Sequence, residues 1–150
     1  AQSIQNTFGQ AGITVELKVG EGAEQLAEYR ARQHQATLQS WGPDYPDPNT
    51  NSSTFAENPG NADEDKNTGY LAWRNAYDPG EMTAMSQAAV LESDSAKRVE
   101  MYAELQKKHR ETAPFIVMFQ IGYQTGMRAN VMDFYTGGAT DSAAYWLISK

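Results

Sequence analysis

Cysteine is absent from the 150-residue sequence, which removes disulfide frameworks, thiolate metal sites and cysteine nucleophiles from consideration. Cationic residues are few, with 12 Lys and Arg against 19 Asp and Glu for a formal charge of −7. Phosphate neutralisation needs clustered Lys and Arg, and none occurs, so nucleic acid is not expected as a partner. No apolar run nears the ~20 residues that cross a bilayer; the longest is Phe115-Ile116-Val117-Met118-Phe119, with Ile121 beyond it. A Walker loop, a Gly-x-Gly-x-x-Gly turn, a Gly-x-Ser-x-Gly elbow and a His-Glu-x-x-His helix are all missing. The two histidines, His34 and His109, stand far apart in regularly patterned segments, so packing or surface roles are expected for both. The chain opens at Ala1 without Met or a charged-then-apolar leader, so any export signal is expected to have been removed or to lie outside this sequence.

What is present suffices for a folded domain. Hydrophobic residues make up 40% and charged residues 21%, too apolar a mixture for a disordered tail, and the length matches one domain. Ile4, Phe8 and Ala11 share a helical face, and Gly12 follows where a left-handed C-cap sits. Ile13, Val15, Leu17 and Val19 alternate with Thr14, Glu16 and Lys18, the period of a half-buried strand. Residues 23–32 favour a second helix with Leu26, Ala27 and Tyr29 inward, and residues 34–41 a second strand leading into a proline-rich loop. Helix, strand, helix, strand predicts an α/β fold built on a mostly parallel sheet flanked by helices.

Residues 49–69 are rich in Asn, Ser, Asp, Glu and Gly and predict an exposed irregular segment with at most one helical turn near Phe55. Helical pattern resumes over residues 81–91. Ser93 or Asp94 can then N-cap a helix to about Thr112, with Val99, Tyr102, Leu105 and His109 on one side and Glu104 and Lys108 paired. Pro114 stops it, and residues 115–119, apolar on both faces, predict a central core strand. The tail places turns near Asn130 and Gly137-Gly138 before a last apolar segment, residues 145–148.

Asp63, Glu64 and Asp65 lack the ligand spacing of a calcium loop and read as a solvated charge run, so no metal is expected. Asp44 and Asp47 suggest an acid and nucleophile pair, although neighbours in one loop seldom straddle a substrate. The loop itself, Trp41-Gly42-Pro43-Asp44-Tyr45-Pro46-Asp47-Pro48, is stiffened by three prolines and presents two carboxylates beside an indole. An Asp there can accept hydrogen bonds from a ligand ammonium, with Trp41 supplying apolar or π surface. Equally, both carboxylates can satisfy backbone amides while Trp41 belongs to the core.

That octapeptide resembles the Trp-x-x-Asp-Tyr-x-Asp-Pro signature of the peptide and nickel class of periplasmic solute-binding proteins. Residues 4–19 resemble the family's Ile-Gln-x-x-(x)-Gly-Ile-x-Val-x-Leu segment, and residues 102–119 its Tyr-x-x-Leu-Gln-x-x-x-x-x-x-Ala-Pro-x-Ile stretch. Arg128-Ala129-Asn130-Val131 resembles the arginine-containing segment before the return to the first lobe. Pro43 departs from the small residue usual before the Asp, and residues 49–69 have no counterpart that identifies a solute.

The resemblance implies one lobe, over residues 1–150, of a periplasmic-binding-protein type II-like fold. This would be the second, C-terminal lobe of a longer two-lobed receptor that closes on its ligand. It implies a periplasmic, non-enzymatic binding component of an ABC importer, without a cofactor. Its partners would be a peptide or peptide-like solute, the transporter permease and the N-terminal lobe of the same protein. Asp44 would meet the ligand's α-ammonium, with Trp41 and Tyr45 as apolar walls. A receptor for an opine, an oligosaccharide or a chelated metal, and a self-associating module forming a homodimer without a ligand, are the alternatives.

Overall fold

A computed structural model of the protein describes residues 1–120, 122, 124–136 and 143–150. The chain divides into two compact units, Ala1–Trp41 and Gly42–Lys150.

In the first unit, α1 (Gln2–Gln10) ends as its glycine predicts. Gly12 takes φ +80°, and the amides of Gly12 and Ile13 donate to the carbonyls of Gly9 and Phe8 at 3.0 and 2.9 Å, which satisfies two terminal carbonyls of the helix. Helix α2 (Gly22–Arg30) closes in the same way with Arg32 left-handed. Its buried residue is Tyr29, whose ring meets the edge of His34 at 4.9 Å, a packing role for that histidine. Among the described residues, 13–19 and 34–41 join no ladder.

In the second unit, α3 (Pro48–Ala56), α4 (Leu71–Arg74), α5 (Met82–Leu91) and α6 (Ser95–Thr112) form a helical core. Ala56, Met82 and Leu105 meet at its centre, flanked by Tyr77 and Met85. The bounds of α5 and α6 follow their patterns: Asp94 N-caps α6 by accepting from the Lys97 amide at 2.9 Å, and the helix stops before Pro114. Tyr102 and Leu105 face inward, whereas Val99 is exposed. Lys108 pairs with Glu81 rather than Glu104, which instead meets Lys107 at 3.5 Å.

The expected α/β architecture is overturned. Among the described residues there are six α-helices, two 3-10 turns and no sheet, only the isolated antiparallel bridges Met132↔Ser149 and Thr136↔Ala143. Alternating apolarity specifies a face, but a strand exists only when another supplies partners for its backbone, whereas a helix satisfies its own. Residues 115–119 are likewise no core strand. Phe115 stacks on His109 at 5.7 Å and meets the edge of Phe55 at 5.2 Å, but Val117 is 91% exposed and Ile116 88%. Residues 145–148 give an exposed 3-10 turn, Tyr145–Leu147. A turn does form before Val131, whose amide donates to Arg128. Gly137, Gly138 and Ile121 lie outside the described residues.

Residues 49–69 also depart from the expected irregular surface. Their first part is α3, with Thr50, Ser52, Thr54 and Ala56 buried. Hydroxyls that disfavour helices in isolation here bond back to the preceding turn, Ser53 to Asn49 O and Thr54 to Thr50 O, both at 2.7 Å. Their small size also lets α5 approach closely, with Ala89 and Ser86 fully buried. Beyond α3, Asn58 donates to Asn61 Oδ1 and Tyr77 O, and Asn67 to Gly60 O. At Gly60 a Cβ would lie 2.5 Å from Asp65 Oδ2, the oxygen that accepts the Ala62 amide. No helix among the described residues is long and apolar enough to cross a membrane.

His109 on α6 is half-buried, with Nε2 3.1 Å from Phe55 O and its ring between Tyr77 and Phe115. Burial pushes its pKa below the ordinary 6.5, partly opposed by the Phe55 carbonyl. The unfolded chain therefore binds a proton more readily. The stability from neutral His109 is full above 6.5 and is lost as pH falls through the histidine's own lower value. Urea midpoints measured between pH 7.5 and 5 should drop for the wild type and less for His109→Gln; equal slopes would remove His109 as the cause.

Candidate functional site

The 41–48 loop crosses the boundary between units, with Trp41 ending the first and Asp44 and Tyr45 near the start of the second. Trp41 is 45% and Tyr45 48% exposed, so the core reading of Trp41 fails. Asp44 is exposed at a bend, and its carboxylate has no hydrogen-bond or ion-pair partner among the described residues. It satisfies no backbone amide, unlike Asp47.

Asp47 is fully engaged. It N-caps α3, with Oδ1 accepting the Asn49 amide at 2.8 Å, and Pro48 fits the first helical position. The same carboxylate takes a two-pronged contact from Arg98 of α6, Nη2 to Oδ1 at 2.8 Å and Nη1 to Oδ2 at 3.0 Å. Arg98 Nε donates to Ala89 O at 3.0 Å, one of the last carbonyls of α5, and its guanidinium lies 5.0 Å from the Tyr102 ring centroid. One guanidinium thus joins the loop, the end of α5 and α6. The Arg98 contact, then the Asn49 amide, hold the Asp47 carboxyl below its ordinary range, and Asp47 in turn raises the Arg98 pKa.

A general acid must hold its proton near neutral pH, so a lowered pKa is the wrong direction for that role. Asp47 is an anchor that fixes where the loop enters α3. Sequence reasoning missed Arg98, although a signal was available. A cation in the first turn of a helix opposes the macrodipole, and its presence there calls for an anionic partner elsewhere.

Asp63, Glu64 and Asp65 form a 3-10 turn, and no group of three or more potential metal ligands is gathered among the described residues. An open cleft of about 400 Å³ lies beside the end of α6, lined by Tyr77, Asp78, Glu81, Lys108, Glu111 and Thr112. Much of its polar lining is engaged, Lys108 with Glu81, Asp78 with the Gly80 amide and Tyr77 with Thr112. It shares no residue with the 41–48 loop.

Within the second unit, the loop presents an Asp44 carboxylate unengaged among the described residues and, three residues on, the anchored Asp47. Residues 1–63, a span containing that loop, α1, α2 and α3, match the family model described as bacterial extracellular solute-binding proteins, family 5, middle. No curated protein and no solved structure matches the chain. The family match supports an extracytoplasmic solute-binding role.

Proposed function

We propose that the protein is the periplasmic solute-binding component of an ABC importer, taking up peptides or peptide-like solutes between two lobes. Residues 1–150 supply the second of these. Asp44 accepts hydrogen bonds from the solute's α-ammonium, Trp41 and Tyr45 give apolar walls, and the closed receptor docks on the transporter permease. The observation that carries this reading is the unengaged Asp44 carboxylate in a loop anchored by Asp47 and Arg98, inside the span that matches the solute-binding family.

The two loop aspartates should therefore separate function from stability. In the full-length protein, Asp44→Ala should weaken binding of a free-amine peptide roughly tenfold to a hundredfold, as loss of a charge-assisted hydrogen bond does, and leave the urea midpoint unchanged. Asp47→Ala should lower stability by about 1 kcal/mol through the lost cap. Titration calorimetry with one peptide, free and N-acetylated, tests the assignment. The wild type should prefer the free amine and Asp44→Ala should not; an unchanged preference would refute the role of Asp44.

A further inference from the structure

The Asp44 carboxylate has no partner among the described residues, so its position is inherited along the backbone from Asp47. Two residues separate them, Tyr45 and Pro46. The ring of Pro46 fixes its own φ and confines the residue before it to extended backbone. The Asp47 amide donates to Tyr45 O at 2.9 Å, closing the turn around Pro46. Thr50, buried in the first turn of α3, adds a second tie, its hydroxyl lying 2.8 Å from Asp47 O and 3.4 Å from Tyr45 O. A spacer with so few free dihedrals carries any displacement of Asp47 to Asp44. Asp47 is in turn seated on Arg98, and that guanidinium is oriented independently of the loop. Its Nε donates to Ala89 O at 3.0 Å, its Nη2 to the Tyr102 hydroxyl at 3.3 Å, and Asp44, Asp47 and Arg98 all belong to the second unit.

We infer that Arg98 is a positioning residue for the solute: by seating Asp47 on a guanidinium fixed between α5 and α6, it sets where the Asp44 carboxylate stands and hence the affinity for a solute ammonium, without touching the solute. The inference rests on the assignment of Asp44 and adds a residue 54 positions away from it in sequence. An acceptor already held in place spares binding the cost of ordering the loop. Charge alone does not provide this. Arg98 meets both oxygens of Asp47 while its Nε holds the Ala89 carbonyl, and a lysine ammonium, which lacks the planar fork, cannot satisfy all three in that geometry. The same bridge selects between the two loop carboxylates. Oδ1 of Asp47 takes Arg98 and the Asn49 amide and Oδ2 takes Arg98, which leaves Asp44 as the acceptor open to an ammonium.

The test uses the full-length protein and one peptide, free and N-acetylated, titrated by calorimetry under conditions where circular dichroism shows each variant folded. Arg98→Lys, which keeps the charge, should weaken the free-amine peptide roughly tenfold and leave the acetylated one unchanged. Asp47→Asn keeps the helix cap and loses the ionic bridge, so it should narrow the preference to the same degree from the other side of the contact; it carries the test alone if the lysine variant does not fold. Added to Asp44→Ala, neither substitution should reduce affinity further, because the acceptor they position is gone. Equal weakening of both peptides would make Arg98 merely structural and overturn the inference. So would wild-type preference in Arg98→Lys and Asp47→Asn while Asp44→Ala loses it, a result that leaves the assignment of Asp44 standing. An Asp44→Ala variant that keeps the preference would overturn both.

Discussion

Trp73→Ala should lower the stability of the second unit by about 3–5 kcal/mol, the usual cost of removing a buried large aromatic side chain. Trp73 is 4% exposed and sits on α4, a four-residue helix far too short to persist without packing. Its indole Nε1 donates to Ala62 O at 3.0 Å, so the same side chain fills the core and tethers the loop between α3 and α4. Trp73→Phe keeps most of the apolar contact and loses the donor, and should cost roughly half as much. Urea titrations followed by far-UV circular dichroism distinguish the two. An alanine variant that unfolds at the wild-type midpoint would mean that α4 is dispensable to this core.

Ser86→Val should cost about 2–6 kcal/mol. Ser86 is fully buried on the face of α5 toward α3, its hydroxyl 2.6 Å from Glu57 Oε1 and 2.8 Å from Ser52 Oγ. Its one hydrogen faces both of these oxygens, with the carboxylate the nearer, and the Ser52 hydroxyl donates to Asn49 O at 3.4 Å. Glu57 is itself only 7% exposed, so deleting this donor leaves a buried acceptor short of a partner, at about 1–3 kcal/mol. Valine adds bulk at a position with no exposed surface, an overpacking cost of about 1–3 kcal/mol. Ser86→Ala removes the donor without the bulk and should fall between wild type and Ser86→Val. If Ser86→Val matches the wild-type midpoint, the carboxylate finds water on its own and the network adds nothing to stability.

Both side chains lie in or beside stretches whose composition gives little warning of burial. The asparagine- and serine-rich run from Asn49 to Gly69 reads as surface because its residues are polar, yet α3, which takes up its first part, buries four of its nine positions. Hydroxyls bonded to their own helix and a carboxylate met by a serine are compatible with an interior, but composition does not reveal the partner. The opposite error occurs at residues 115–119, where apolarity predicts a core and the chain leaves Ile116, Val117 and Phe119 exposed. Hydrophobicity states a preference for burial; an opposing surface decides whether burial happens.

The sequence by itself determined the features whose physics is local: the left-handed Gly12 that ends α1, the Asp94 cap and Pro114 stop that bound α6, and the stiffness of the 41–48 loop. Each depends on residues within a turn or two of one another, where backbone sterics and capping hydrogen bonds act. Only the tertiary structure decided that Asp44 stays unengaged while Asp47, three residues on, is held by an arginine 51 residues away. It also decided that alternating segments would not assemble into a sheet. Those outcomes depend on which distant groups meet, and the pairing of a carboxylate or a strand edge is a property of the partner as much as of the residue.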